Sequence, residues 1–172
     1  MEFSDLIKDR WSVRSFSDKP VEQEKLDKIL LAAKYAPTAV NFQPQKIYVL
    51  KSKEAMDKIN SVCKAVYGAP MAILVCYDDD QDWDNPLTKG DHSGMTDASI
   101  VATHMMLEAW NQGIGSVWVG MFSHDAVKEA FNLPDNIKPV MLLPIGYAAD
   151  GAVPFAKWHN VFKPMDEIIE TL

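Results

Sequence analysis

The chain has 172 residues, 48% of them hydrophobic, and a formal net charge of −7 at neutral pH. This length and apolar content predict a single folded domain over residues 1–172 with a sizeable core. The negative charge argues against non-specific binding to nucleic acid or to an anionic membrane, because both need a broad basic surface.

The N-terminal residues Met1–Asp5 are acidic and lack the basic and apolar regions of a signal peptide. No apolar stretch approaches the roughly 20 residues that a membrane span needs. We therefore expect a soluble cytoplasmic protein without a membrane partner. Cys63 and Cys76 do not have the spacing of metal ligands or of a redox pair, and both are expected to be reduced.

The first half of the chain alternates between helical and strand patterns. Phe3, Leu6 and Ile7 have the spacing of a short amphipathic helix, and a second helix is expected to stop before Pro37. The segment 71–77 is apolar without alternation, as expected for a central strand covered on both faces. The predicted elements are a helix before Arg10, a helix over 22–35, a loop over 36–45, a strand over 46–50, a helix over 53–65 and the strand over 71–77.

An acidic, turn-rich segment follows over residues 78–94. Asp78 and the next two aspartates at alternate positions resemble the first ligands of a calcium-binding loop. Trp83, however, stands where that loop needs glycine, and Lys89 stands where it needs a bidentate glutamate. We predict a solvated surface loop and no metal site.

The longest predicted helix spans 95–112 and has little polar surface, so it is expected to be buried on nearly all sides. A domain of this size seldom encloses such a helix completely, which favours a twofold partner. The remaining elements are a strand over 116–119, a short helix over 125–131, a strand over 139–147, an irregular segment over 151–161 and a helix over 164–172. The mixture of helices and strands without a linker predicts one α+β domain with a small mixed sheet.

The only two arginines, Arg10 and Arg14, lie in the segment Arg10-Trp11-Ser12-Val13-Arg14, and every other cationic side chain is lysine or histidine. A guanidinium binds phosphate or a polarised carbonyl through paired, directional hydrogen bonds that lysine cannot reproduce. Ser12 adds a hydroxyl to the same segment. The pattern predicts an anion site, and the alternative is a pair of solvated surface arginines.

The loop over 36–45 brings a hydroxyl and amides together in Thr38, Asn41 and Gln43. An amide offers both a donor and an acceptor, which suits the edge of a flat heterocycle. The alternative is an ordinary turn in which Asn41 caps its own backbone.

Two other features receive no catalytic role. The glycines between Gly113 and Gly120 resemble a dinucleotide fingerprint, but they follow a helix and precede a strand, which is the reverse of the required order. Gly113 is better explained as a helix C-cap. His92 and His104 each stand alone in sequence, and His104 is interpreted as a core or interface histidine.

Taken together, these motifs resemble the nitroreductase family of FMN enzymes, in order and spacing, over essentially the whole chain. The resemblance rests on Arg10-x-Ser12-x-Arg14, on the loop from Ala36 to Pro44, on the apolar helix that runs into the glycines at 113–120, and on Pro144-Ile145-Gly146-Tyr147. It implies an α+β fold with a central mixed, mainly antiparallel sheet flanked by helices. It also implies an intertwined homodimer with two FMN sites at the interface, each built from both subunits.

The resemblance further implies residue roles. Arg10 and Ser12 would hold the FMN phosphate, Arg14 would approach the N1 and O2 side of the flavin, and Asn41 would bind the pyrimidine edge. The backbone N–H of Gly120 would face flavin N5. Lys157 and His159 would complete the phosphate site, although histidine replaces the family's usual arginine there. The implied cofactor-binding residues are Arg10, Trp11, Ser12, Arg14, Pro37, Thr38, Asn41, Gln43, Val119, Gly120, Lys157 and His159.

The implied function is an oxidoreductase in which NADH or NADPH reduces FMN, and FMN reduces an electron-poor acceptor such as a nitroaromatic or a quinone. Such an enzyme follows ping-pong kinetics and needs no catalytic side chain. One alternative is a non-catalytic protein of the same fold that stores or senses flavin. Another is a structural dimer without a cofactor. The chain is short for the family, so a reduced lid over the flavin is expected.

Overall fold

The computed structural model describes residues 2–172. The helices are α1 (Phe3–Asp9), α2 (Gln23–Tyr35), α3 (Lys53–Val62), α4 (Gly94–Asn111), α5 (His124–Phe131) and α6 (Ala156–His159). The strands are β1 (Gln45–Leu50), β2 (Met71–Asp78), β3 (Gly115–Ser116) and β4 (Ile137–Gly146). Single 3₁₀ turns cover Ala39–Asn41 and Met165–Glu167.

The four strands form one sheet in the order β1-β2-β4-β3, and each of the three ladders is antiparallel. A parallel bridge between Ser12 and Ser116 attaches the segment after α1 to the β3 edge, where the Val13 N–H donates to the Ser116 carbonyl at 2.9 Å. The backbones approach closely here, because a Cβ on Gly115 would lie 2.6 Å from Val13 Cγ2. The sheet edge thereby holds the arginine segment.

Side chains from β2 enter two separate cores. Met71, Ile73 and Val75 pack with α2 and α4 on one face of the sheet. Leu74 and Cys76 pack on the other face, with the side chains of α3 and α5. Because helices cover both faces, β2 is apolar from Met71 to Tyr77, and the predicted central strand is confirmed. The predicted α+β class is confirmed as well.

Helix α4 packs against α2, β2 and β4 and buries Val101, Ala102, Met105 and Ala109. Its other side carries the apolar residues Ile100, Met106, Leu107 and Trp110, which are only half-buried. The chain alone therefore does not cover this helix on all sides. None of the helices within residues 2–172 has the length and apolar content needed to cross a membrane.

Four predicted segments differ from the structure. The segment over 151–161, which was expected to be irregular, contains the single-turn helix α6. The helix expected over 53–65 ends at Val62, because Cys63 is extended and the chain turns there to bury Val66. The strand expected over 116–119 is reduced to β3 and an isolated bridge between Val119 and Leu142. The helix expected over 164–172 is wrong. Its apolar residues, such as Ile168, are exposed on this chain, and most helical stability comes from packing of an apolar face.

Candidate functional site

The arginine segment lines a cavity of about 170 Å³ between α1 and the C-terminal segment. The predicted residues Arg10, Trp11, Ser12 and Arg14 all line it, and His159 from α6 joins them. The rest of the lining is largely apolar and consists of Ile7, Lys8, Pro154, Phe155, Trp158 and Phe162. The structure thus brings five predicted cofactor residues, from opposite ends of the sequence, into one cavity.

Neither arginine forms a salt bridge within residues 2–172, although the chain has 24 acidic residues. Arg14 donates to the Ser12 carbonyl at 3.2 Å and lies 5.4 Å from the ring centres of both Phe155 and Trp158. Arg10 is half-buried, and burial lowers the pKa of its guanidinium below the usual value. A partly desolvated cation without a counter-charge is unfavourable until an anion binds. The two guanidiniums and the Ser12 hydroxyl therefore fit a phosphate group.

The arginine segment is held near the end of α4. Trp11 packs edge-on against Trp110, with ring centres 6.4 Å apart. The Arg10 N–H donates to the Leu6 carbonyl at 3.1 Å, and the buried Leu6 side chain anchors α1 to the core. This part of the cavity is consequently fixed by backbone and aromatic contacts before any ligand binds.

The loop with the predicted amides is strained. Val40, Asn41 and Gln43 have φ angles of 49°, 59° and 55°, in the left-handed region that favours glycine. A β-branched residue such as Val40 is rare there, and such strain concentrates at functional sites. Thr38 closes the loop, because its hydroxyl accepts from the Gln43 N–H at 3.1 Å and its carbonyl accepts from the Asn41 N–H at 3.1 Å.

The Asn41 side chain forms no hydrogen bond within the described part of the chain, so the alternative in which Asn41 caps its own backbone is wrong. Asn41 is exposed, and its amide is free to bind a ligand. The Ala39 N–H donates at 2.9 Å to Asp97, a buried carboxylate in the first turn of α4. The loop is thereby tied to the start of this helix.

The arginine segment and the amide loop lie at opposite ends of α4. Their contacts on the helix, Trp110 and Asp97, are 13 residues apart, which corresponds to about 20 Å along the helix axis. Pro37 and Thr38 line a cavity of about 380 Å³, and Asn41 lines another of about 400 Å³. Neither cavity shares a lining residue with the arginine cavity. A single chain does not bring the two groups together.

Four predicted residues lie outside these cavities. Gln43 is exposed, and its side-chain N–H donates to the Asn41 carbonyl at 3.3 Å. Val119 is buried and bridges to Leu142, and Gly120 follows it in an exposed position with open space around its Cα. Lys157 is exposed on α6 and does not line the arginine cavity, unlike its neighbour His159. Their roles toward a cofactor stay predictions.

The model of the nitroreductase family matches residues 7–66 and 63–147, which is more than half of the chain. The chain belongs to the nitroreductase family. A crystal structure of a nitroreductase family protein from Clostridium difficile 630 is similar over 100% of both chains, with a TM-score of 0.92 and 41% identity.

Two relatives of known sequence carry names that give an activity. A Methanothermobacter thermautotrophicus protein, provisionally named NADH dehydrogenase/NAD(P)H nitroreductase, is 32% identical over 87% of this chain and 79% of its own. A Bacillus subtilis protein named FMN reductase (NAD(P)H) is 30% identical over 84% of this chain and 65% of its own.

Two polar side chains near the cavities, Asp97 and His92, were not predicted as site residues from the sequence. Asp97 is only 2% exposed, and besides the Ala39 N–H it accepts from the Ser93 hydroxyl at 2.8 Å. A lone acidic residue on the buried face of an apolar helix was the available signal. His92 was given no role because it stands alone in sequence, but its Nδ1 lies 3.2 Å from Asp82, ten residues earlier.

The acidic loop also gathers the carboxylates of Asp78, Asp79 and Asp80 within 4.8 Å of one another. Two of them already have protein partners. Asp78 accepts from the Asn136 side chain at 2.8 Å, and Asp79 forms an ion pair with Lys138 at 2.9 Å. These contacts explain why the acidic residues are tolerated together at the end of β2.

Proposed function

We propose that this nitroreductase is an NAD(P)H-dependent FMN oxidoreductase that reduces electron-poor acceptors such as nitroaromatics or quinones. The names of the two relatives support the cofactor and the co-substrate. The observation that carries the proposal is the cavity in which two arginines, which have no acidic partner within residues 2–172, meet the Ser12 hydroxyl and His159. Such a donor set suits the phosphate of FMN.

In this proposal Arg10, Ser12 and His159 hold the phosphate, and Arg14 lies nearer the ring system. Bound FMN supplies hydride chemistry, taking two electrons from NADH or NADPH and passing them to the acceptor. The fixed positive charge of Arg14 favours the addition of electrons to a nearby heterocycle. Asn41, on its strained loop, presents an amide to the heterocycle edge without having to reorganise on binding.

The separation along α4 supports a homodimer with composite sites. On one chain, the points at which the arginine segment and the amide loop contact α4 are about 20 Å apart along the helix axis. In a twofold dimer with antiparallel α4 helices, the Asp97 end of one subunit lies beside the Trp110 end of its partner. The arginine cavity of one subunit then faces the amide loop of the other. The half-buried apolar side of α4 supplies a surface for this contact.

The C-terminal segment supports the same assembly. From residue 151 onward most side chains are exposed, and many are large and apolar. They are Val153, Phe155, Trp158, Val161, Phe162, Met165, Ile168, Ile169 and Leu172. Contiguous exposed apolar surface usually marks an interaction site. A second subunit that receives this segment would give the intertwined dimer that the family resemblance implies.

The test is the visible spectrum of the purified protein, followed by anaerobic addition of NADH or NADPH. We expect a yellow protein that bleaches within the assay, and parallel double-reciprocal lines when the acceptor and the nicotinamide are varied. A yellow protein that stays oxidised would indicate a storage or sensing role instead. A protein that stays colourless after incubation with FMN would refute the proposal.

A further inference from the structure

A histidine–carboxylate pair lies in the acidic segment that precedes α4. The His92 Nδ1 is 3.2 Å from Asp82, and the Asp82 side chain is only 2% exposed. The second Asp82 oxygen accepts from the Gly94 N–H at 3.1 Å, which fixes the carboxylate. Because a carboxylate accepts hydrogen bonds, Asp82 holds the proton on Nδ1. The His92 side chain is 51% exposed, and its Nε2 lies 4.0 Å from the exposed Asp84 carboxylate. This distance is longer than a hydrogen bond, so Nε2 is left to contact solvent or a ligand.

His92 and Asp82 each line a cavity that is also lined by the loop over 36–45, the flavin loop that the sequence predicts. His92 lines the cavity of about 380 Å³ together with Thr38, and Asp82 lines the cavity of about 400 Å³ together with Asn41. Trp83, between them in sequence, adds an aromatic surface to the first cavity. The pair and the loop therefore line the same two cavities.

A chain of hydrogen bonds fixes this arrangement. Asp97 accepts from the Ala39 N–H of the loop at 2.9 Å and from the Ser93 hydroxyl at 2.8 Å. The Ser93 hydroxyl in turn accepts from the Trp83 N–H at 3.1 Å. One buried carboxylate in α4 thus connects the flavin loop to the segment that carries His92. The relative positions of the loop and the imidazole are set by the fold.

We propose that His92 is the proton donor to the acceptor, and that Asp82 is the positioning residue that orients its ring. The proposal rests on the proposed function. Reduction of a quinone to a hydroquinone takes one hydride, which brings two electrons and one proton, and one further proton. The His92 Nε2–H bond breaks as the second O–H bond forms on the quinone, and the half-exposed imidazole regains a proton from solvent. Imidazole can give and regain a proton near neutral pH.

The test compares an acceptor that needs a proton with one that does not. 1,4-Benzoquinone takes up protons when it is reduced, whereas ferricyanide takes up an electron alone. We expect His92→Gln to slow benzoquinone reduction about 100-fold or more, the usual contribution of general acid catalysis. Ferricyanide reduction and bleaching by NADPH should keep their wild-type rates. Added imidazole should restore benzoquinone reduction to His92→Ala, and the exposed His124→Gln serves as the matched control.

A binding measurement on the oxidised protein gives a second readout. Long-range ¹H–¹⁵N spectra of the histidine rings are followed during titration with 2-methyl-1,4-naphthoquinone. The resonances that disappear in His92→Gln should shift, and those of His124 should not.

The outcomes separate this proposal from the proposed function. Wild-type benzoquinone rates in His92→Gln, or unmoved His92 resonances at saturating naphthoquinone, would overturn the role of His92 alone. Equal slowing of benzoquinone and ferricyanide reduction would do the same, because it would show a structural effect. If the wild-type protein is not bleached by NADH or NADPH and reduces neither acceptor, the proposed function fails, and the role of His92 fails with it.

Discussion

Loss of the Arg10 guanidinium should weaken FMN binding much more than loss of the Lys157 ammonium. Arg10 is half-buried in the cavity and has no acidic partner within residues 2–172, so the phosphate would be its counter-charge. A hydrogen bond to a charged group contributes about 1.5–3 kcal/mol. Arg10→Ala should therefore raise the Kd for FMN by about 10- to 150-fold. Lys157 is exposed and outside the cavity, and an exposed charge contributes up to about 1 kcal/mol, so Lys157→Ala should raise the Kd less than about 6-fold.

The assay is titration of flavin-free protein with FMN, followed by quenching of flavin fluorescence. Riboflavin, which lacks the phosphate, is the matched control ligand. Arg10→Ala should bind riboflavin as the wild-type protein does, because the lost contact is to the phosphate. Arg10→Lys should fall between the two, since it keeps the charge but loses the paired hydrogen bonds. Unfolding by urea should be nearly unchanged in the flavin-free variant.

Two results would refute this reasoning. Equal Kd values for Arg10→Ala and Lys157→Ala would mean that the phosphate lies elsewhere. Equal weakening of FMN and riboflavin by Arg10→Ala would mean that Arg10 contacts the ring system or supports the fold.

Three further predictions concern stability. Burial raises the pKa of Cys76 from 9.0 to about 12, so the thiol ionises in the unfolded chain at a lower pH than in the folded protein. The free energy of unfolding should therefore fall as the pH rises through this range, by up to about 1.4 kcal/mol per pH unit. In Cys76→Ala, urea unfolding at several pH values should lack this part of the pH dependence. Val40→Gly should remove a backbone strain of about 1–2 kcal/mol, because glycine adopts a positive φ without strain. Glycine also makes the unfolded chain more flexible, which destabilises the fold by about 0.5–1 kcal/mol. Urea unfolding should therefore show equal or higher stability, and a clear loss of stability would contradict the strain. The buried Ser116 hydroxyl has no hydrogen-bond partner within residues 2–172, so Ser116→Ala should not lower the free energy of unfolding obtained from thermal unfolding. A decrease of more than about 1 kcal/mol would show that the hydroxyl is hydrogen-bonded.

Local patterns in the sequence predicted much of the fold. The strand predicted from the apolar run over 71–77 and the helix predicted from the apolar stretch over 95–112 are confirmed as β2 and α4. Both stretches are apolar because both elements pack into the core. The arginine segment was informative because its two guanidiniums are the only ones in the chain. The helix predicted over 164–172 is wrong because its local signals are not supported by packing. Pro164 and the acidic residues after it resemble a helix start, but the apolar residues of that segment, such as Ile168 and Ile169, are exposed.

Contacts between distant segments were out of reach of pattern reasoning. His92 and Asp82 are ten residues apart in a loop without periodicity, so only the fold reveals that they meet. The roles of Asp97 and Trp110 are similar cases. Both residues belong to the apolar helix, but Asp97 contacts Ala39 and Trp110 contacts Trp11, and both partners are far away in the sequence.

In the proposed homodimer, each end of helix α4 would belong to a different site. A rigid helix with one half-site at each end becomes two complete sites when a twofold axis passes through its middle. The midpoint between Asp97 and Trp110 lies at Thr103 and His104, which are half-buried. The Thr103 hydroxyl donates to the Ser99 carbonyl at 2.8 Å, and the His104 Nδ1 lies 2.9 Å from the Ile100 carbonyl. Because the Thr103 hydroxyl and the His104 Nδ1 are paired within the helix, burial against a partner would keep these two bonds. The apolar neighbours on the same side would supply the driving force.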